Sequence, residues 1–235
     1  MPYGGYYYSP FGFDPTLIIL IPAILFTIYA QFKVSSTTSR YLKVRSQRGF
    51  TGEQTARKIL DINGLYDVRI EMVRGHLSDH YDPRSKVLRL SQDIYYGTSI
   101  TSIAVAAHEC GHAIQHAKGY APLNLRSSLV PVVNFASNMS WFLIALGFFM
   151  GGPLLKIGIL LFSASVIFQL VTLPVEFNAS NRAMVQLADT GILEGKELSQ
   201  GRRVLTAAAL TYVAAALTSV LQLLRLLAIA NRDND

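Results

Sequence analysis

Four long apolar runs alternate with ordinary polar sequence along the 235 residues. The first, "TLIILIPAILFTIYAQF" over residues 16 to 32, carries no charge and as a helix of about 1.5 Å per residue would extend roughly 25 Å. With slight extension at its ends it reaches across a bilayer core. Residues 129 to 150 and 153 to 175 form two further runs, and the "GGP" between them predicts a tight turn joining antiparallel helices. The last run, "LTAAALTYVAAALTSVLQLL" over residues 205 to 224, is rich in alanine, which lets neighbouring helices approach closely.

The segment between the first two runs has the pattern of a water-exposed domain. "TGEQTARKILDINGL" pairs Thr51 with Gln54 as a capping box, repeats apolar residues at helical spacing and stops at Gly64. "YDVRIEMV" alternates and predicts a strand over residues 66 to 73; "RSKVLRLS" predicts a second, with "GHLSDHYDP" as loop or hairpin between them. "GTSITSIAVAAHECGHAIQHAKG" is a helix capped by Thr98 or Ser99 and ended at Gly119. After the third run, "EFNASNRAMVQLAD" predicts a separate polar helix, and "GILEGKELSQGRRVL" a helix or its turn.

Composition supports a membrane protein with one water-exposed portion: 51% of residues are hydrophobic and only 15% charged. The net charge of +6 comes without a lysine and arginine block, a zinc-finger spacing or an aromatic ribonucleoprotein motif, so no nucleic-acid partner is expected. Charge instead sets orientation. Residues 34 to 128 carry thirteen lysines and arginines against eight acids, whereas "MPYGGYYYSPFGFDP" carries no basic residue and so lacks the basic region of a signal peptide. The expectation is a multi-pass protein of the cell membrane. Its parts are an extracytoplasmic arm (residues 1 to 15), transmembrane helix one (16 to 33), a cytoplasmic domain (34 to 128), transmembrane helices two (129 to 150) and three (153 to 175), a cytoplasmic helix (176 to 203), and transmembrane helix four with its tail (204 to 230). Both termini then lie outside. Cys110 is the single cysteine, so an intrachain disulfide and a thiolate-rich metal site are both excluded.

That leaves histidine and carboxylate as metal ligands, and "AAHECGHAIQHA" supplies them. His108-Glu109-Cys110-Gly111-His112 follows the H-E-x-x-H pattern, in which histidines one helical turn apart bind zinc from one face and the glutamate takes a proton from water. His116 looks like a third ligand, yet on a straight helix it lies about 12 Å along the axis from His108. Bonds of roughly 2 Å cannot span that. A metzincin third histidine would stand at position 118, which is Lys118. The third ligand must share a side of the membrane with His108, and after the hairpin the chain returns there at Glu176, beside Pro174. A carboxylate at that border is costly without a cationic partner.

"LSDHYDPRSKVLRLS", "SIAVAAHECGHAIQHA" and "PVEFNASNRA", in this order, resemble the YugP-like membrane-bound neutral zinc metallopeptidases. The zinc motif is also similar to that of the HtpX-like membrane proteases. The resemblance implies a mainly α membrane protein of four transmembrane helices with a small α+β zincin-like, minigluzincin-type cytoplasmic metalloprotease domain. It also implies one Zn2+ per chain on His108, His112 and Glu176, with Glu109 as catalytic general base. Gluzincins often carry an aspartate four residues after the glutamate ligand to orient the first histidine. Ser180 stands there, with Asn178 and Asn181 as other candidates.

Activity would follow from zinc-activated water, with His80, Tyr81, Tyr95 or Arg182 as candidates to stabilise the oxyanion. "KVLRLS" would be an edge strand on which an extended peptide could pair. The expected substrate is a peptide or membrane-protein segment on the cytoplasmic side, in the lipid bilayer's company, with room for a homo-oligomer or a membrane regulator. His76 and His80 share ligand spacing, but their turn-rich surroundings argue against a second metal site. Two alternatives are an intramembrane site-two-type protease, were the motif helix to span, and a non-proteolytic membrane scaffold that keeps zinc for stability.

Overall fold

A computed structural model describes residues 14–75, 78–150 and 152–232. The expectations for the N-terminal arm, for His76 and for Gly151 of the hairpin turn lie outside the described residues. The chain is mostly helical with one small sheet. A short 3-10 helix, Pro15–Leu20, leads into α1 (Ile21–Leu42); α2 (Gly52–Ile62), β1 (Arg69–Val73), β2 (His80–Asp82), β3 (Val87–Ser91), α3 (Gln92–Tyr95) and α4 (Ile100–Ala117) follow. Three long helices complete the chain: α5 (Ala121–Met150), α6 (Gly152–Asp189) and α7 (Gly195–Arg232).

Local signals account for the short elements. Thr51 and Gln54 form the reciprocal capping box of α2, and Gly64 takes a left-handed φ of 71° just past its end. Ser99 caps α4, its hydroxyl accepting from the Ser102 amide at 3.0 Å. Inside the domain a core of Ile59, Leu60, Leu88, Leu90, Ile100 and Ile103, all fully buried, joins α2, the sheet and α4.

The sheet corrects two expectations. Its order is β1-β3-β2, with β1 parallel and β2 antiparallel to β3. "KVLRLS" is therefore the central strand, since Val87, Leu88, Leu90 and Ser91 are buried. β1 and β2 are the edges, and β2 lies inside the stretch expected to be loop or hairpin, where three residues are too few to show alternation. Asp79 anchors the β2 edge, its carboxylate accepting from the Ser91 amide at 2.7 Å. The predicted first strand also starts later, at Arg69, because Tyr66 and Asp67 turn.

Among the described residues, four helices are long and apolar enough to cross a membrane: Pro15–Leu42, Ala121–Met150, Pro153–Asp189 and Gly195–Asn231. No break occurs at Pro174 or Glu176; α6 runs through both. The polar half beyond Glu176 stays helical because Ala179, Ala183 and Leu187, spaced one turn apart, are fully buried, the latter two in the domain core. The missing Pro174 amide costs one hydrogen bond, which a helix packed by neighbours tolerates. At 38 residues and about 1.5 Å each, α6 and α7 extend roughly 57 Å, well beyond a hydrocarbon core of about 30 Å. Their other halves build a second cluster around Leu155, Ile159, Phe162 and Leu226, joined by Ile144 of α5. Gly158 makes the α5–α6 contact close: a Cβ there would lie 2.7 Å from Ile144 Cγ1.

Candidate metal centre

The site forms where α4 crosses α6. Gly111 of α4 lies against the backbone of Ala179, so that an added Cβ would collide with the Ala179 carbonyl oxygen and stand 3.1 Å from its Cα. This approach brings His108 and His112, one turn apart on α4, over Glu176, one turn before Ala179. Nε2 of His108 is 3.3 Å and Nε2 of His112 is 3.6 Å from Oε2 of Glu176. The three ligand atoms lie within 4.8 Å of one another. Glu176 is only 2% exposed.

Hydrogen bonds around the site dispose the imidazole nitrogens. Arg182 can only donate, and its Nε reaches Oδ1 of Asn178 at 2.7 Å. The same Oδ1 accepts from Gln115 Nε2 at 3.0 Å, and that amide also donates to the Val175 carbonyl at 2.8 Å. Oε1 of Gln115 must then be the acceptor that faces His112 Nδ1 at 3.0 Å. His112 accordingly carries a proton on Nδ1, and Nε2 is the nitrogen that faces Glu176. For His108 the partner of Nδ1 is Ser180 Oγ at 3.1 Å. Ser180 thus occupies the place that an aspartate takes in related sites.

This donor set fits a divalent cation. Oε2 of Glu176 is buried and has no hydrogen-bond partner, while Oε1 accepts from Arg126 Nη1 at 3.2 Å. Two imidazole nitrogens and one carboxylate oxygen converge with their other atoms engaged, as a zinc site with an open fourth position requires.

Glu109, 8% exposed, lines the adjoining cleft of about 330 Å³ together with His80, Tyr81, Arg126 and Tyr212. β2 and the turn after it form one bank. Tyr81 is fixed there: its hydroxyl lies 2.9 Å from His116 Nδ1, and burial, then Asp67 and Asp82, push its pKa up to about 12. It therefore stays a phenol, hydrogen-bonded to His116. His116 stands apart from the metal ligands. His80 is exposed on β2 with Nδ1 at 2.8 Å from the Ser78 carbonyl. Arg182 reaches the site only through Asn178, Asn181 is exposed beyond it, and Tyr95 packs edge-on against Tyr96. The single thiol, Cys110, points away into the core, where burial raises its pKa.

Arg126, Gln115 and Tyr212 were not singled out from sequence. Gln115 sits three residues after His112 on one helix face, a readable signal. Arg126 and Tyr212 come from α5 and α7, and only the packing of those helices brings them to the cleft.

A family model described as "Putative neutral zinc metallopeptidase" matches residues 16–231. "Putative membrane protease YugP" of Bacillus subtilis (strain 168) is 52% identical over 220 residues, 93% of this chain and 98% of that relative. No solved structure matches. The chain therefore belongs to the neutral zinc metallopeptidase family.

Proposed function

We propose that this protein is an integral-membrane endopeptidase that uses one zinc ion per chain, held by His108, His112 and Glu176. The observation that carries the reading is the buried Oε2 of Glu176, without a hydrogen-bond partner and 3.3 and 3.6 Å from Nε2 of His108 and His112, next to Glu109 in an open cleft. When bound, zinc supplies a Lewis acid that lowers the pKa of a water nucleophile to about 7. Glu109 takes the proton from the attacking water at its carboxylate and hands it to the leaving amine nitrogen. The Tyr212 phenol, on the cleft wall with Glu109 and Glu176, donates to the substrate carbonyl oxygen as charge develops there. Arg126 holds Oε1 of Glu176, leaving Oε2 for the metal.

β2 is the short edge beside the cleft, and an extended peptide can add to it by backbone hydrogen bonds. A helix bearing both histidines, an edge strand beside it and a glutamate from a second helix make a reduced zincin-like, gluzincin-type domain. The basic bias of residues 34 to 128 orients this domain to the cytoplasm, with both termini outside and four spans between. Exposed apolar side chains reach Phe32 on α1, begin at Leu125 on α5 and include Phe177 beside Glu176 on α6. The site therefore sits at the bilayer border, within reach of cytoplasmic segments next to a membrane. α4 is packed by α2, the sheet, α6 and α7 rather than by lipid, which disfavours an intramembrane site-two-type arrangement.

Detergent-purified, zinc-loaded protein should cut an unfolded polypeptide such as casein. Glu109→Gln should keep zinc and lose at least about a hundredfold in rate. Equal rates with and without the Glu109 carboxylate would sink the peptidase reading and leave the zinc-stabilised scaffold.

A further inference from the structure

A second chamber, of about 320 Å³, meets the cleft at His108, Glu109, Asp79, Glu176 and Tyr212. Its character differs from that of the cleft. The cleft mixes Asp82, Arg84 and Arg126 with Leu123 and Val130, whereas the chamber, beside Thr38, Ser180 and Thr211, is walled mainly by Val34 of α1, Val105 of α4, and Val204, Leu205, Ala208 and Ala209 of α7. Tyr212 belongs to both walls and stands where they join. At Ala208 and Ala209 the small side chains border an open volume between α1 and α7.

Resting on the peptidase reading, we propose that this chamber is a specificity pocket for one large apolar side chain of the substrate, Leu, Met, Ile or Phe, immediately next to the scissile bond. Three observations carry the assignment. The chamber opens on the Glu109 carboxylate and the metal ligands, so its occupant is adjacent to the reacting carbonyl. Its volume is at the lower limit of ligand pockets, roughly 300 Å³, so it takes a side chain and excludes a folded segment. The chamber's lining is the more apolar of the two, the cleft carrying the charged side chains of Asp82, Arg84 and Arg126, so the chamber is where a large apolar residue loses most of its water. Substrates then carry an apolar residue on one flank of the cleaved bond and polar or charged residues on the other, the composition found where a membrane span meets its polar continuation.

Ala208 of α7 and Val34 of α1 both line the chamber with small side chains. Ala208→Phe and, from α1, Val34→Phe should each fill the pocket while zinc content stays at one per chain. Two readouts separate this inference from the reading beneath it. In the first, zinc-loaded wild type is given unstructured peptides that differ only at the central residue, Leu or Ser, and products are identified by mass. Cleavage next to Leu should be preferred by roughly ten- to a hundredfold, and both Phe variants should lose that preference. In the second, the same peptides, fluorescently labelled, are bound to zinc-loaded Glu109→Gln protein and to its Ala208→Phe and Val34→Phe doubles. The Leu peptide should bind about tenfold tighter than the Ser peptide in the first protein and equally in the doubles. Selective binding without any cleavage would uphold the pocket and overturn the peptidase reading. Cleavage with equal treatment of Leu and Ser, or selectivity that survives both Phe variants, would overturn the pocket and leave the peptidase intact. Absence of both binding and cleavage would overturn the two together.

Discussion

Gly111 and Ala179 meet backbone to backbone, and this one contact decides how near the histidines of α4 come to Glu176. The glycine inside the H-E-x-x-H motif is thus required for packing, independently of the chemistry of its neighbours. Gly111→Ala should push α4 from α6, destabilise the protein by about 1–3 kcal/mol and weaken zinc binding at least tenfold. Thermal unfolding with and without zinc, and a zinc titration by competition, check both effects. An alanine variant with native zinc affinity would mean that the close contact is unimportant.

The partners of the two Nδ1 atoms should tune the metal by similar amounts. Ser180→Ala and Gln115→Ala each remove the group that orients one imidazole, and each is expected to weaken zinc affinity by about 10- to 100-fold. Arg182→Leu should act in the same direction but less strongly, because it reaches His112 only through Asn178 and Gln115. Ser180→Asp should retain or tighten binding. Competition titrations on the four variants give the order.

Arg126 holds Oε1 of Glu176, and the proposed zinc would bind the other oxygen, Oε2. Arg126→Leu should leave Glu176 dependent on zinc alone, so chelation should lower the unfolding temperature of this variant more than that of wild type. Equal shifts would show that the Arg126 pair contributes nothing to holding the carboxylate.

Much of this centre is legible in the residues themselves. Helical spacing predicts His108 and His112 on one face, and the return of the chain after two apolar runs leads to Glu176. The distance along a helix axis removes His116, and the structure gives it a different partner, Tyr81. Other parts are not legible, for physical reasons. β2 has three residues, too few for a period of two to register, and its neighbours Asp82 and Pro83 read as turn. Pro174 predicts a helix boundary that burial of Ala179, Ala183 and Leu187 overrides. Tyr212 sits in an apolar, alanine-rich run whose periodicity is that of any packed helix, and its approach to Glu109 depends on the way α7 crosses α4.

Cys110 offers a test of the core behind the motif. Its side chain is fully buried and burial pushes the thiol pKa up, so the folded protein should resist maleimide labelling at pH 8 and react only after denaturation. The shift has a definite sign. The thiolate is disfavoured only in the folded state, so the stability it contributes is intact below the unfolded thiol's pKa of about 8.5 and is lost as pH rises above it. Cys110→Ala should flatten that alkaline decline in unfolding experiments between pH 8 and 10.

Whether Glu176 completes the metal site is decided by zinc stoichiometry in detergent-purified protein, with wild type beside Glu176→Ala and His116→Ala. Wild type and His116→Ala should each hold one zinc per chain, and Glu176→Ala should lose the metal. Loss in His116→Ala with retention in Glu176→Ala would contradict a site completed by Glu176, and would require α4 to break after His112 so that the third histidine could turn back to the site.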